Sequence, residues 1–170
     1  MSTQFTFGIH GLTVAIWFNV QDHSQYDATI VLYYQSSNQF AMNLEDNGDG
    51  GYTLKNYGAS ATLQHGNINP NVWYHVVLVM DKIADTFTMY VDGQFGASAL
   101  LTSTNLGGSY TTFLGTDFER IFVGSMRDFR VYNRALSTAE VQALYTISQV
   151  QVNLLMLHIS LEFFQILIML

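Results

Sequence analysis

The sequence predicts an all-β protein, a sandwich of antiparallel sheets with one short helix near residues 137–146. The 170 residues are 49% hydrophobic and 14% aromatic, but only 11% are charged. This composition favours strands, because β-branched and aromatic side chains pack well on a pleated surface. Short apolar segments follow one another with turn residues between them, which is the pattern of a sandwich. The length fits a single domain with a sizeable core.

Each predicted strand is a short apolar or alternating run that ends at a turn signal. In the first, residues 12–20 (LTVAIWFNV), alternate residues from Val14 to Val20 share one face. The run at 72–81 is almost continuously hydrophobic, which is typical of a strand in the middle of a sheet. The other strands are predicted over residues 29–34, 40–44, 52–57, 61–63, 86–91, 112–114 and 120–123.

Residues 124–145, GSMRDFRVYNRALSTAEVQALY, combine a strand with the start of a helix. The first part alternates apolar and polar residues, as a half-buried strand does. Ser137 is placed as the N-cap, and Glu140 three residues later completes a capping box. One side of the predicted helix is apolar, with residues at helical spacing: Val141, Leu144 and Tyr145.

The charge balance excludes several classes of partner. A net charge of −7 argues against nucleic acid, whose phosphates require a basic surface, and disfavours adsorption to an anionic membrane. The chain has no cysteine, which removes disulfides and thiolate metal sites. No signal peptide is visible, so we expect the domain to belong to a longer chain or to be exported otherwise.

The domain is predicted to span residues 1–148, and residues 149–170 form a separate apolar tail. The tail contains a single charge, Glu162. Its polar residues and the lack of flanking Lys or Arg disfavour a transmembrane helix. Three interpretations rank above a membrane anchor: an added strand, a packed or interfacial helix, and a non-native reading frame.

Three blocks of the sequence resemble one family. Residues 12–20 are similar to an "FT(I/V)SAWF" strand. Residues 72–94 are similar to "W-x-H-V-A-x-V-x-D … L-Y-V-D-G", and residues 124–145 to "G-x-I-D-D-V-R-I-Y-N-R-A-L-S-x-x-E-I-x-x-L". In this order they resemble the laminin-G-like domains of the concanavalin A-like lectin/glucanase superfamily. The resemblance implies a jelly roll.

The sequence also departs from the family in two ways. The chain starts almost at the family's "FT(I/V)SAWF" strand, so we expect it to lack the N-terminal strand. The tail has no family counterpart, and one hypothesis is that its alternating part fills the vacant sheet position.

The resemblance raises two chemical expectations, catalysis and calcium binding. Family glucanases carry E-x-D-x-E on one strand, but the nearest segment, residues 115–119 (GTDFE), lacks the first Glu, so we expect no enzyme. Calcium is the one cofactor expected, with Asp128 as its ligand. Asp128 matches the second of the family's two adjacent acids, but Arg127 stands at the first, so a structural role for Asp128 is an equal alternative. The segment at 45–50 has acidic spacing like the start of a calcium loop, but it is predicted to be a hairpin turn.

Sugar binding needs aromatic faces together with Asn, Asp and backbone groups. The candidate residues lie near turns: Tyr34, Asp46, Asn47, Tyr57 and Tyr110. Trp17 and Trp73 lie in strong strands, where packing is the better interpretation. Rim loops at 21–27, 46–51 and 102–110 are expected to carry function.

By resemblance, the predicted function is a non-catalytic recognition module for glycan or for an extracellular protein, acting in carbohydrate binding or cell adhesion. We expect it outside the cell or on a particle surface. Two alternatives stay open: a structural domain of a larger secreted or viral protein with no small ligand, and a degenerate glycoside hydrolase.

Overall fold

The computed structural model describes residues 2–6, 10–21, 28–35, 38–58, 61–101, 109–116 and 120–150. For residues 2–6, 32–35, 38–40, 58, 61 and 109–111 only the backbone is described. The strands are β1 (Ser2–Thr6), β2 (Gly11–Val20), β3 (Ala28–Gln35), β4 (Asn38–Asp46), β5 (Tyr52–Gly58), β6 (Ala61–Ile68), β7 (Trp73–Asp81), β8 (Thr86–Val91), β9 (Gln94–Leu100), β10 (Ser109–Leu114) and β11 (Gly124–Tyr132). A helix, α1, covers residues 138–150.

The strands form two antiparallel sheets that pack face to face. One has six strands in the order β1-β10-β3-β4-β5-β6, and the other has five in the order β11-β2-β7-β8-β9. The predicted central position of the strand at 72–81 is confirmed, because β7 lies in the middle of the five-stranded sheet. The core between the sheets contains the predicted face of β2, from Val14 to Val20, opposite Met42 and Leu44 of β4.

The helix packs on the outer face of the five-stranded sheet, the side away from this core. Val141 and Leu144 contact Ala15, Val77 and other residues of that sheet in a second apolar cluster. The predicted capping box is confirmed. The Ser137 backbone N–H donates to Glu140 Oε2 at 2.8 Å, and the Glu140 backbone N–H donates to Ser137 Oγ at 3.3 Å.

Three features of the fold differ from the prediction. The expected absence of an N-terminal strand is wrong, because β1 pairs antiparallel with β10. The tail hypothesis therefore loses the vacancy on which it rested. A strand at 120–123 is also wrong, since only an isolated bridge between Thr116 and Ile121 is described there. Strand β9 was not predicted, because its sequence, QFGASAL, consists largely of small residues with weak strand preference.

The tail beyond residue 150 lies outside the described residues, so its predicted alternatives stay predictions. Among the residues that the structure describes, no helix combines the length and the apolar character needed to cross a bilayer.

Candidate functional site

Polar side chains cover the outer face of the six-stranded sheet on β4 and β5. Met42, Leu44 and Leu54 lie in the core. Because successive residues of a strand point to opposite faces, their neighbours Asn43, Glu45, Lys55 and Tyr57 point outward. With Arg120 and Thr29 these side chains form what we call the polar cluster: Thr29, Asn43, Glu45, Lys55, Tyr57 and Arg120.

Glu45 is the hub of the polar cluster. Its Oε2 accepts a hydrogen bond from Lys55 Nζ at 2.5 Å, and its Oε1 accepts one from the Tyr57 hydroxyl. Burial would raise the pKa of Glu45, but the bonds from Lys55 and Tyr57, with the charges of Lys55 and Arg120, outweigh burial and lower the pKa. The carboxylate is therefore held in its ionised form. The bond to Glu45 is also the main reason that the pKa of Tyr57 is raised.

The Tyr57 side chain runs along the sheet surface. In the register of β4 and β5, Tyr57 faces Ala41 while Glu45 faces Thr53. These pairs lie four positions apart, which is about 13 Å along a strand. The hydrogen bond between Tyr57 and Glu45 requires both side chains to extend toward each other over this distance. Tyr57 as a residue is 36% exposed, so a tethered aromatic side chain is accessible to solvent.

Arg120 joins the polar cluster from the segment between β10 and β11. The Asn43 amide is oriented so that it satisfies the hydrogen-bonding groups of its neighbours. In this orientation Asn43 Oδ1 accepts a hydrogen bond from Arg120 Nη1 at 2.7 Å, and Asn43 Nδ2 donates to Thr29 Oγ1 at 3.1 Å. Asn43 and Thr29 are buried polar residues, so their hydrogen bonds fix the geometry of this part of the cluster. The cluster thus offers charged donors, a carboxylate and an aromatic ring on a rigid sheet.

Among the predicted sugar-binding residues whose side chains the structure describes, only Tyr57 belongs to the polar cluster. Tyr34 and Tyr110 lie on the same sheet, in β3 and β10: Tyr34 pairs with Thr111, and Tyr110 pairs with Phe5. Their side chains lie outside those described, so their roles stay predictions. Of the rim loops, residues 22–27 and 102–108 are also outside the described residues.

Asp46 and Asn47 lie in the β4–β5 hairpin, as predicted, and support its backbone. Asp46 Oδ1 accepts from the Gly48 N–H at 2.8 Å. Asn47 Oδ1 accepts from the N–H groups of Asp49 at 2.9 Å and Gly51 at 3.2 Å. These bonds confirm the hairpin interpretation of the loop. They also occupy the side-chain oxygen of Asn47, so the NH2 group of this side chain is the part left for a ligand.

Asp128 lies on the other sheet, in β11, at a bulge where its φ is 52°. Its Oδ1 is 2.6 Å from Arg130 Nε. Within the described ranges, no group of three or more His, Cys, Asp or Glu residues is placed to hold a metal ion. A single carboxylate paired with one arginine and next to another, Arg127, does not fit the oxygen-rich ligand set of calcium. Calcium binding stays a prediction that requires ligands from elsewhere.

The sequence did not reveal Glu45, Lys55 or Arg120 as site residues. The alternation of β4 and β5 indicates that Glu45 and Lys55 share an outward face, because each directly follows a core leucine, Leu44 or Leu54. Arg120 has no such signal, since only the tertiary fold brings it beside Asn43.

The family comparison covers most of the chain. A model of the concanavalin A-like lectin/glucanases superfamily matches residues 2–142. No curated protein matches the chain in sequence.

Solved structures of similar fold are distant in sequence. The native heptameric SAP-like pentraxin from Limulus polyphemus is 19% identical, with a TM-score of 0.65 over 85% of this chain and 75% of that one. The CBM40 of Ruminococcus gnavus IT-sialidase, bound to α2,3-sialyllactose, is 16% identical, with a TM-score of 0.64 over 81% and 84% of the two chains. The receptor binding domain of botulinum neurotoxin D is 12% identical, with a TM-score of 0.64 over 85% of this chain and 39% of that one.

At these identities the structural likeness establishes the fold alone. The family match spans more than half of the chain, and the two sheets and capped helix agree with it. The chain belongs to the concanavalin A-like lectin/glucanases superfamily.

Proposed function

We propose that this domain is a non-catalytic glycan-binding module whose site is the polar cluster on the six-stranded sheet. The observation that carries the proposal is Tyr57, a residue that is 36% exposed and whose hydroxyl is tethered to Glu45. A fixed aromatic face suits the apolar C–H face of a sugar ring, because little side-chain entropy is lost on binding. The carbohydrate-binding neighbour CBM40 has a similar fold and is consistent with this proposal.

The groups around Tyr57 supply the polar half of sugar recognition. Lys55 is a donor and Glu45 is an acceptor, and both are partly exposed, with 26% and 22% of their side chains accessible. Arg120 adds a planar set of donors close to Asn43. Sugar hydroxyls both donate and accept hydrogen bonds, so neighbouring donors and acceptors beside an aromatic face give orientation and specificity.

The chemistry of Glu45 favours binding over catalysis. A glycosidase needs one carboxyl group with a raised pKa as proton donor and a second carboxylate at a fixed separation. Glu45 has a lowered pKa, and it is already hydrogen-bonded to Lys55 and Tyr57. We therefore infer that the site recognises glycans without hydrolysing them. We also propose that these glycans are displayed outside the cell.

A glycan array tests the proposal directly. The purified domain is applied either with calcium at about 2 mM or with a chelator. Under both conditions the wild type is compared with Tyr57→Ala and Tyr57→Phe. We expect specific signals that Tyr57→Ala abolishes. Tyr57→Phe retains the ring but loses the tether to Glu45, so we expect it to weaken binding by about tenfold, the equivalent of about 1.4 kcal/mol.

The other outcomes separate the remaining functions. Arrays that are blank under both conditions contradict the proposal and favour a structural or adhesion domain. Signals that survive Tyr57→Ala place the glycan elsewhere on the molecule. Binding lost only with chelator supports the calcium prediction, and release of sugar from a β-glucan contradicts the non-catalytic assignment.

A further inference from the structure

A second unusual arrangement lies on the outer face of the five-stranded sheet, around Arg127. The Arg127 guanidinium carbon is 4.4 Å from the centre of the Trp17 ring and 4.7 Å from that of the Trp73 ring. Both distances are within the range of cation–π contacts. Trp17 is buried, and Trp73 is 37% exposed, so this position opens to solvent on the Trp73 side.

Within the described part of the chain, no hydrogen bond and no ion pair engages the Arg127 guanidinium. The nearest carboxylate in sequence, Asp128, pairs with Arg130 at 2.6 Å. Stacking on indole rings uses the faces of a guanidinium and leaves the N–H donors in its plane. Arg127, Asp128 and Arg130 together carry a net positive charge on a chain whose total is −7.

Neutral polar groups lie beside the guanidinium. Asn19 pairs with both Ser125 and Trp73 across three neighbouring strands, β11, β2 and β7. Phe18 and Val20 point into the core, so Asn19 points outward like Arg127. The Asn19 amide and the Ser125 hydroxyl therefore lie on the same face as Arg127, next to the exposed part of Trp73.

From this geometry we propose that Arg127, with Asn19, Ser125 and Trp73, forms a binding site for an oxyanion: a carboxylate, sulfate or phosphate group carried by a ligand. A planar guanidinium binds such groups through two parallel hydrogen bonds. The two indole rings hold it in one orientation, which reduces the entropy lost on binding. This site lies on the opposite sheet from the polar cluster and is independent of the proposed glycan site.

The protein carries its own reporter for this site. It has only two tryptophans, and both contact Arg127. Intrinsic fluorescence is titrated with acetate, sulfate and phosphate separately, at constant ionic strength. We expect a saturable change in emission with at least one of these probes. Acetate as the better probe identifies a carboxylate site, and sulfate or phosphate identifies a site for tetrahedral oxyanions.

Variants assign the signal to Arg127. Arg127→Gln is expected to weaken the binding at least tenfold, and Arg127→Lys, which keeps the charge but not the planar donors, several-fold. Lys82→Gln removes one positive charge from the turn after β7 and should titrate like wild type, as should Tyr57→Ala. If Arg127→Gln fails to fold, Arg127→Lys makes the same comparison. A linear change without saturation in wild type, or equal affinity in the Arg127 variants, overturns the proposal.

Discussion

His75 makes the stability of the protein depend on pH. Its side chain is 1% exposed, and its ring centre lies 5.0 Å from that of Trp17 and 5.8 Å from that of Tyr145. The pKa of His75 is lowered from 6.5 to about 4, mainly by burial. The charges of Arg130 and Arg127 contribute to this lowering, and only the charge of Asp128 opposes it. Among the described residues, His75 Nδ1 has no hydrogen-bond partner, so no hydrogen bond at this nitrogen favours the protonated ring.

The sign of the effect follows from these two pKa values. Below about pH 6.5 the unfolded chain binds a proton at His75, and the folded protein does not until about pH 4. Stability therefore falls as the pH falls through this interval and is unaffected above it. The difference between pKa values of 6.5 and about 4 corresponds to about 3 kcal/mol. About 2 kcal/mol of this is lost between about pH 7 and about pH 5.

His75→Phe isolates this contribution. Phenylalanine keeps a ring between Trp17 and Tyr145, has no titratable group, and removes an unpartnered buried nitrogen. We expect the variant to be at least as stable as wild type at neutral pH. The assay is urea unfolding of both proteins at about pH 7, 6 and 5, which stays above the range in which the carboxylates titrate.

The decisive quantity is the difference between the two pH slopes. Wild type should lose about 2 kcal/mol more than His75→Phe between about pH 7 and about pH 5. Parallel slopes would mean that His75 is protonated in the folded state much as in the unfolded chain, and the reasoning from burial would be refuted.

Four further substitutions test the fold. Ser137→Ala removes the N-cap of α1 and should cost about 1 kcal/mol in urea unfolding, and an unchanged midpoint would show that the cap adds nothing. Gly124→Ala places a Cβ 2.1 Å from the Asn19 carbonyl oxygen, so we expect a loss of about 2 kcal/mol or more. Gly48→Ala, at positive φ but in open space, should cost only about 1 kcal/mol, and equal losses would contradict the steric argument. Asn56 is fully buried, and neither of its side-chain polar atoms has a partner among the described residues. Asn56→Leu should therefore raise the melting temperature, and a lower one would indicate that the amide is satisfied.

Local sequence patterns predicted the features of the fold that depend on residues close together in the chain. The capping box at Ser137 and Glu140 depends on residues three positions apart, and the structure forms it as expected. The alternation of β2 and the apolar run of β7 followed from burial on one or both faces of a strand.

The features that were predicted wrongly or missed depend on contacts between strands rather than on local sequence. Strand β9 is held by its register with β8 and by the Asp92–Gly93 turn rather than by its own composition, so its sequence carries little signal. The pairing of β1 with β10 joins residues more than 100 positions apart, which no local pattern records. The residues at 120–123 are apolar enough for a strand, yet the described structure there is an isolated bridge between Thr116 and Ile121, and Arg120 lies beside Asn43.

The candidate site could be predicted only in part for the same reason. Tyr57 was identified because aromatic residues near turns suit sugars. Its partners Glu45 and Lys55 were not, because Glu45 meets Lys55 and Tyr57 only through the pairing of β4 with β5. Arg127 was noted as a departure from the family, but its position between Trp17 and Trp73 depends on pairing across three strands.

Glycan affinity at Tyr57 is the measurement that tests the central claim most directly. A glycan selected from the array is titrated by calorimetry into wild type and Tyr57→Ala, after urea unfolding has shown that the two are equally stable. If the polar cluster is the binding site, the wild type binds and Tyr57→Ala shows no measurable heat. Equal affinity of the two proteins, or an array without any ligand for the wild type, would contradict glycan recognition by this face.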